Sequence, residues 1–467
     1  MGRKIVILGG GAAGIDVLEL VLRWCRAMGD AAPELTLIKR EPEGFFSTCG
    51  LPFALEGRYP IEILELFQPE YYRDQGVDFR TGTEVARINL KERSVQLTTG
   101  AELLFDELVI ATGSKPFIPP LRGTELNGVF TLWSRADGER LKAAMAAEGT
   151  RTAVVIGGGL IGLQAARAFA TQGLKTTLVE LAPQLLPAIL DADMGAIVQK
   201  RVRTDITLLL GQQVSALQGG DRVQGVLVGD EELPADIVLI AAGMRPNVEL
   251  ARQAGMGVGT SGGIVVDQSM RVKQGHWYLR NVYALGDCAE VIDFVTCRPR
   301  LSQLASTALI QARVIAQNLR GRGASYEHEC VFGPCLSPTV ATIAGLQVGS
   351  VGVTSAIADR YCIAIKAGTA TKYTRARYFP SRKLIMAKLL FAADTEKLIG
   401  AQLLSEETVA ERINELTLAI KAGITATDLV MRERCFEPSL AMVEDVLVDA
   451  AAKARATHVA PSQSNRP

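Results

Sequence analysis

The chain carries the same local unit twice, and that repeat constrains its fold more than any other feature. Lys4–Leu8 is an apolar run bounded by glycines and reads as a buried strand. It leads into Gly9-Gly10-Gly11-Ala12-Ala13-Gly14 and an apolar helical pattern to about Met28. Thr152–Ile156 leads in the same way into Gly157-Gly158-Gly159-Leu160-Ile161-Gly162 and a helix to Gln172. Both satisfy G-x-G-x-x-G with a strand before and a helix after. In that context the glycines allow a tight turn, let a pyrophosphate approach the backbone and let helix pack on strand. The helix N-terminus then offers N–H donors and a positive dipole end. Repeated strand–helix–strand units predict an α/β chain with two Rossmann-like dinucleotide-binding domains.

The two units end differently. The strand Thr176–Val179 finishes in Glu180, an acid placed to hold a ribose 2′-hydroxyl, with no arginine after it. A carboxylate there repels a 2′-phosphate, so NADH is expected over NADPH. The matching strand Leu35–Ile38 finishes in Lys39, then Arg40 and Glu41. Here Glu41 supplies the carboxylate two residues late or the ribose is held otherwise, and Lys39 and Arg40 read as solvated charges.

Shortly after the first unit comes Gly44-Phe45-Phe46-Ser47-Thr48-Cys49-Gly50-Leu51-Pro52-Phe53. Ala54 stands where a C-x4-C pair would place its second cysteine, so one sulfur is available. Pro60–Asp74 reads as a partly amphipathic helix, and strands are expected at Val77–Arg80, Glu84–Asn89, Ser94–Thr98 and Glu107–Ile110. The last runs out into Ala111-Thr112-Gly113-Ser114, small residues where a chain leaves a sheet beside a ligand. Ile237–Ile240 runs similarly into Ala241-Ala242-Gly243-Met244-Arg245-Pro246-Asn247, and Val282–Leu285 into Gly286-Asp287. A helix is expected over Leu304–Arg320, a linker over 321–326, strands at Thr339–Ile343 and Val348–Val353, and closing helices at Glu406–Ala422 and about Met442–Ala454.

Composition narrows the class. The chain has 467 residues, 48% hydrophobic and 21% charged, with zero formal net charge, so no basic footprint points to nucleic acid. No run of ~18 apolar residues predicts a membrane span, and Met1-Gly2-Arg3-Lys4 lacks signal-peptide features. Eight scattered cysteines without a CxxC pair fit a reduced, cytoplasmic setting. Cys330 and Cys335 have no second half-site, so no metal is expected.

Taken together, the two glycine units, Ala111–Ser114, Ala242–Asn247, Gly286-Asp287 and Cys49-Gly50-Leu51-Pro52 resemble the flavin-dependent pyridine nucleotide–disulfide oxidoreductases over about residues 3 to 455. The resemblance implies FAD on Gly9, Gly11, Ala12, Ala13 and Gly14, with Lys39, Arg40, Glu41, Thr48, Val85, Ala111, Thr112, Gly113, Gly286, Asp287, Leu304 and Ala305 around it. Asp287 would bond the ribityl chain. It implies NAD(P)H on Gly157, Gly159, Leu160, Ile161, Gly162, Glu180 and Gly243. The implied domains are FAD-binding (1–119 and 245–325), NAD(P)H-binding (120–244) and a C-terminal α+β dimerisation domain (326–455) of a homodimer, with a disordered tail at 456–467.

The lone cysteine looks like the coenzyme A-disulfide reductase, NADH oxidase and persulfide reductase branch. Ala12 stands where the oxidase and peroxidase members place a histidine. The expected function is reduction of a small-molecule disulfide, persulfide or polysulfide through Cys49, with a coenzyme A-derived substrate as one form. The alternatives are O2 reduction through a Cys49 sulfenate and a non-catalytic electron-transfer or NADH-sensing flavoprotein. Three departures stand out: Lys39; Gln164, where glutamate is common; and Glu433–Leu440 in place of a tyrosine-bearing run. In that run Glu437 is a candidate acid, if desolvated, and Cys435 a candidate resolving thiol from a partner subunit. Arg23 and Arg26 read as an exposed helix face or, otherwise, as contacts for a coenzyme A phosphate. His276, His328 and His458 fall in no active-site motif.

Overall fold

The computed structural model describes residues 2–26, 32–320 and 330–457. Met28, the linker at 321–326, His328, His458 and the tail from 458 lie outside the described residues. The chain divides into two units. One comprises 1–117, 131–143 and 243–335; the other comprises 118–130, 144–242 and 336–467.

The first unit is built on a six-stranded sheet in the order Arg271–Gln274, Trp277–Ala284, Glu107–Ile110, Lys4–Leu8, Glu34–Ile38, Asp78–Arg80. Lys4–Leu8 pairs in parallel with Glu34–Ile38 on one side and Glu107–Ile110 on the other. Continuous apolar runs suit this position because helices cover both faces of a parallel sheet. Ile5, Ile7, Leu108 and Val109 are accordingly buried, together with Val17, Leu18 and Val21 of the helix Ala12–Cys25 and Ala312 and Ile315 of the helix Ala305–Arg320.

The expected helix over Pro60–Asp74 does not form as one piece. The segment is a short 3-10 turn (Ile61–Leu64), a strand (Glu65–Phe67) and a helix (Pro69–Arg73). Pro69 disfavours helical geometry at Gln68, which sits extended at ψ 156°. The strand instead pairs antiparallel with Phe45–Phe46, just ahead of Cys49.

The second unit contains a five-stranded sheet in the order Val129–Phe130, Ile237–Ile240, Thr152–Ile156, Lys175–Glu180, Thr207–Leu210. It also contains a five-stranded antiparallel sheet formed by Thr339–Ile343, Leu346–Gly352, Leu398–Ser405, Leu384–Ala392 and Ile365–Tyr373. The helices Val409–Lys421 and Val446–Ala456 pack on that sheet. Asp191 ties the two sheets' layers together: its carboxylate accepts from the Ser355 amide and hydroxyl and pairs with Lys388 at 2.9 Å. Burial pushes the Asp191 carboxyl up, but the Ser355 and Lys388 partners outweigh it and hold it below the usual range. Among the described residues no helix is long and apolar enough to cross a membrane.

Candidate functional site

Both glycine loops are shaped by close backbone contacts. Gly9 has φ +111°, and a Cβ there would lie 2.1 Å from the Ala111 carbonyl oxygen; one on Gly14 would lie 1.9 Å from the Gly9 oxygen. Gly157 has φ +114°, and the corresponding distances are 2.3 Å to the Ala241 oxygen and, from Gly162, 2.0 Å to the Gly157 oxygen. A Cβ on Gly11 or Gly159 would meet nothing within 4 Å. Each loop therefore turns tightly against its own sheet and keeps one bare backbone face open. Ala12 opens the first helix, and Leu160 and Ile161 open the second.

The small-residue exits noted in the sequence converge in the first unit. Ser114–Pro116 pairs antiparallel with Met244–Pro246. The Thr112 hydroxyl donates to the Asn247 carbonyl at 2.7 Å, and the Asn247 amide group donates back to the Thr112 carbonyl at 2.8 Å. Gly113 and Gly243 sit at positive φ with open space where a side chain would be. Gly286, also at positive φ, packs on Ala13 and donates its N–H to Gln311 Oε1 at 2.8 Å. Next to it Asp287 accepts from the Ser114 hydroxyl at 2.7 Å, and burial pushes its carboxyl up despite that bond. Nε2 of Gln303 and Nε2 of Gln311 are buried without hydrogen-bond partners. Leu304 and Ala305 sit at the start of the helix Ala305–Arg320, and Val85 begins a strand packed on the same core.

Lys39 is not a solvated charge. It is 5% exposed, its Nζ donates to the Gly44 carbonyl at 2.6 Å, and it pairs with Glu43 at 3.5 Å. Burial of an ammonium demands such partners. Arg40 and Glu41 do point outward and pair with each other at 3.5 Å. In the second loop Glu180 turns back on its own backbone: one oxygen accepts from the Gly158 amide at 2.5 Å and the other from the Ala182 amide at 2.7 Å.

Cys49 is an exposed, free thiol in the 3-10 turn Thr48–Gly50. The turn is held by the Ser47 amide donating to the Leu64 carbonyl at 2.8 Å and the Tyr59 hydroxyl donating to the Gly50 carbonyl at 3.1 Å. Neither Tyr59 nor Leu64 belongs to a recognisable motif, so pattern reading passes over both. Ala54 is buried in the following helix.

A cleft of ≈ 510 Å³ opens on the same unit, lined by Asp16, Glu19, Arg23, Phe45, Phe67, Tyr71 and Arg313 among others. The Phe67 and Tyr71 rings stack at 4.6 Å. Burial raises the Asp16 carboxyl to about 6, with Arg313 opposing and Glu19 adding to the rise. Arg23 thus lines a cavity, whereas Arg26 lies on the surface and donates to Gln75 at 2.6 Å.

Cys435 and Glu437 belong to the second unit, in an irregular segment. Cys435 is an exposed free thiol. Glu437 is exposed rather than desolvated; its carboxylate accepts from the Ser439 amide at 3.0 Å and from the Ser439 hydroxyl. His276 is exposed at a hairpin tip. Among the described residues no cluster of His, Cys, Asp and Glu is placed to hold a metal ion.

Comparison with known proteins decides what these loops belong to. Residues 3–312 match the pyridine nucleotide-disulphide oxidoreductase family and residues 307–446 match its dimerisation domain. The chain belongs to the pyridine nucleotide-disulphide oxidoreductase family. It is therefore an oxidoreductase that uses FAD and NAD(P)H.

Among relatives, it is 34% identical to an NADH oxidase of Methanocaldococcus jannaschii, over 95% of this chain and 97% of that one. It is 30% identical to a CoA-dependent NAD(P)H sulfur oxidoreductase of Pyrococcus abyssi, over 96% and 97% of the two chains. Among solved structures, the NAD-dependent persulfide reductase from A. fulgidus superposes with a TM-score of 0.90 at 30% identity, covering 97% of this chain and 83% of that one.

The residues present fit the family's cofactors. The open glycine faces suit pyrophosphates. The buried, raised Asp287 carboxyl, with Ser114 as a hydrogen-bond donor, suits a polyol.

Proposed function

We propose that this chain is an NADH-dependent reductase of small-molecule disulfides, persulfides or polysulfides that works through Cys49. The observation that carries the reading is a single exposed thiol on a turn held by backbone bonds, with a buried alanine where a second redox cysteine would stand. Bound FAD supplies two electrons at the cysteine, drawn from NADH.

The chain's own part is nucleophilic. The Cys49 thiolate attacks a substrate S–S bond, a Cys49 mixed disulfide forms, and one thiolate leaves. Two electrons then cleave the mixed disulfide, regenerating the Cys49 thiolate and releasing the second thiolate. With one proton from solvent, NADH and one disulfide give NAD⁺ and two thiols. Thiolate is the attacking species in such exchanges. Gly9, Gly11, Ala12, Ala13, Gly14, Thr112, Gly113, Gly286 and Asp287 would hold FAD, with Thr48 and Val85 at its edges. Gly157, Gly159, Leu160, Ile161 and Gly162 would hold the nicotinamide dinucleotide. Glu180 would take its ribose hydroxyls and disfavour a 2′-phosphate.

A coenzyme A-derived carrier suits the cleft beside Phe45. Phe67 and Tyr71 offer a stacking surface, Asp16 and Glu19 accept from an exocyclic amine, and Arg23 and Arg313 meet phosphate. The working unit is a homodimer in the cytoplasm. The exposed Met431, Phe436, Leu440 and Val443 around Cys435 form the kind of apolar surface a partner covers, with Cys435 and Glu437 presented at that surface.

The test is anaerobic turnover with NADH against coenzyme A disulfide, coenzyme A persulfide, polysulfide and glutathione disulfide. Cys49→Ser should lose at least ~10³-fold in disulfide reduction while NADH still bleaches the flavin. Undiminished disulfide turnover in that variant would sink the reading. Reduction of O2 is the second reading, favoured by the NADH oxidase relative. It would show as aerobic NADH consumption that matches the best disulfide rate and is lost in Cys49→Ser.

A further inference from the structure

We infer that Lys39 is a positioning residue for the redox turn, holding the segment that carries Cys49 against the first glycine loop. The inference rests on the reading of Cys49 given above. The lysine stem lies on the loop: a Cβ built on Gly10 would be 2.7 Å from Lys39 Cδ and 3.2 Å from its Cβ and Cγ. Its ammonium reaches the other way, to the Gly44 carbonyl at 2.6 Å and the Glu43 carboxylate at 3.5 Å. One buried side chain thus touches the glycine loop with its stem and the approach to Cys49 with its head.

Gly44 is gripped from the opposite side as well. Its N–H donates to Glu65 Oε1 at 2.8 Å, and Glu65 Oε2 pairs with Arg135 at 2.8 Å. Arg135 is itself held by Glu139 at 2.7 Å. No side chain fits at residue 44, because a Cβ there would lie 2.0 Å from the Phe67 carbonyl oxygen. Both polar groups of Gly44 are therefore committed, one to Lys39 and one to Glu65, and the strand Phe45–Phe46 starts from that fixed point. Cys49 follows five residues later.

A carboxylate at position 39 would face the Gly44 carbonyl and Glu43, acceptor against acceptor. This explains why the acid that serves the second loop, Glu180, is replaced in the first by a cation. Position 39 thus reaches the approach to the redox turn, where its counterpart Glu180 reaches its own loop's Gly158 N–H.

The experiment uses the FAD-loaded enzyme with Lys39→Met, which keeps the stem and removes the ammonium, and with Glu65→Met, which removes the acceptor of the Gly44 N–H. Amide hydrogen exchange is followed across residues 44–50, and stopped flow separates flavin reduction by NADH from flavin reoxidation by disulfide. In Lys39→Met, exchange at 44–47 should rise about 10- to 100-fold, and the disulfide half-reaction should slow far more than the NADH half-reaction. A general loss of folding would slow both alike. Unchanged exchange together with an unchanged disulfide half-reaction would overturn the inference. Should Lys39→Met fail to hold FAD, Glu65→Met must loosen the same amides. Moreover, wild-type amides 44–47 must exchange more slowly than the exposed turn at 57–58. Failure of either defeats the inference. The exchange readout does not depend on Cys49 chemistry, so it stands apart from the Cys49→Ser test of the reaction itself.

Discussion

The two glycine loops are close copies in backbone and opposites in charge. Gly9 and Gly157 sit at φ +111° and +114°, and a Cβ on Gly14 or Gly162 would strike the loop's first carbonyl at 1.9 or 2.0 Å. At the end of the following strand one carries Lys39 and the other Glu180. Glu180 turns back and takes the Gly158 amide; Lys39 passes over Gly10 and takes the Gly44 carbonyl. The helices differ in the opposite sense. Asp16 and Glu19 stand where the second helix has Gln164 and Arg167, and Arg167 pairs with Asp205. The shared backbone shows what any pyrophosphate-binding turn needs. The differing side chains reach different neighbours: Glu180 the Gly158 and Ala182 amides of its own loop, Lys39 the Gly44 carbonyl ahead of Cys49.

The most severe way to break the comparison is to make the loops alike. Lys39→Glu would bury an acid beside Glu43 and the Gly44 carbonyl, and it should cost about 3–5 kcal/mol. Thermal unfolding with flavin occupancy measures this, and a variant of unchanged Tm that keeps FAD would show that the charge reversal carries no structural weight. Next in size is Glu180→Ala, which removes the carboxylate proposed to accept from the ribose of NADH. The KM for NADH should rise about 10- to 100-fold and the preference over NADPH should shrink, as initial rates with both nucleotides would show. Retained discrimination would place the preference elsewhere.

Tyr59→Phe removes the bond to the Gly50 carbonyl and should destabilise the turn by about 1 kcal/mol, read as faster alkylation of Cys49.

The smallest effect concerns Asp16. Its carboxyl lies at about 6 in the folded chain against an ordinary 3.8, chiefly through burial. Between those values the folded state binds more protons than the unfolded one, so stability falls as pH rises through the window. Since Asp16 is only half buried, the fall should be about 1 kcal/mol or less. Asp16→Asn should be at least as stable as wild type at pH 7.5 and should lack the decline between pH 4 and 6. An identical pH profile in both proteins would contradict the assignment.

Much of the scaffold was legible because it depends on local pattern. Apolar runs ending in glycines identify Lys4–Leu8, Thr152–Ile156, Glu107–Ile110 and Ile237–Ile240 without reference to anything distant. Spacing alone likewise shows that Ala54 leaves Cys49 without a C-x4-C partner. Over 60–74 the helix periodicity of so short a stretch cannot reveal a strand partner, and Phe45–Phe46 supplies one. Glu437 was expected to need desolvation, and the fold leaves it exposed beside Ser439.

The sequence by itself determined that two dinucleotide turns share this chain and that a lone cysteine, without a C-x4-C partner, follows the first, since those depend on glycine conformations and residue spacing. Only the tertiary structure decided that Thr112 and Asn247 interlock, that Asp16 and Arg23 line a cleft, and that Lys39 turns inward. Thr112 and Asn247 meet across the chain, and the Lys39 partners, though only four and five residues away, matter because the fold buries the ammonium in a low-dielectric interior where a charge must find a partner.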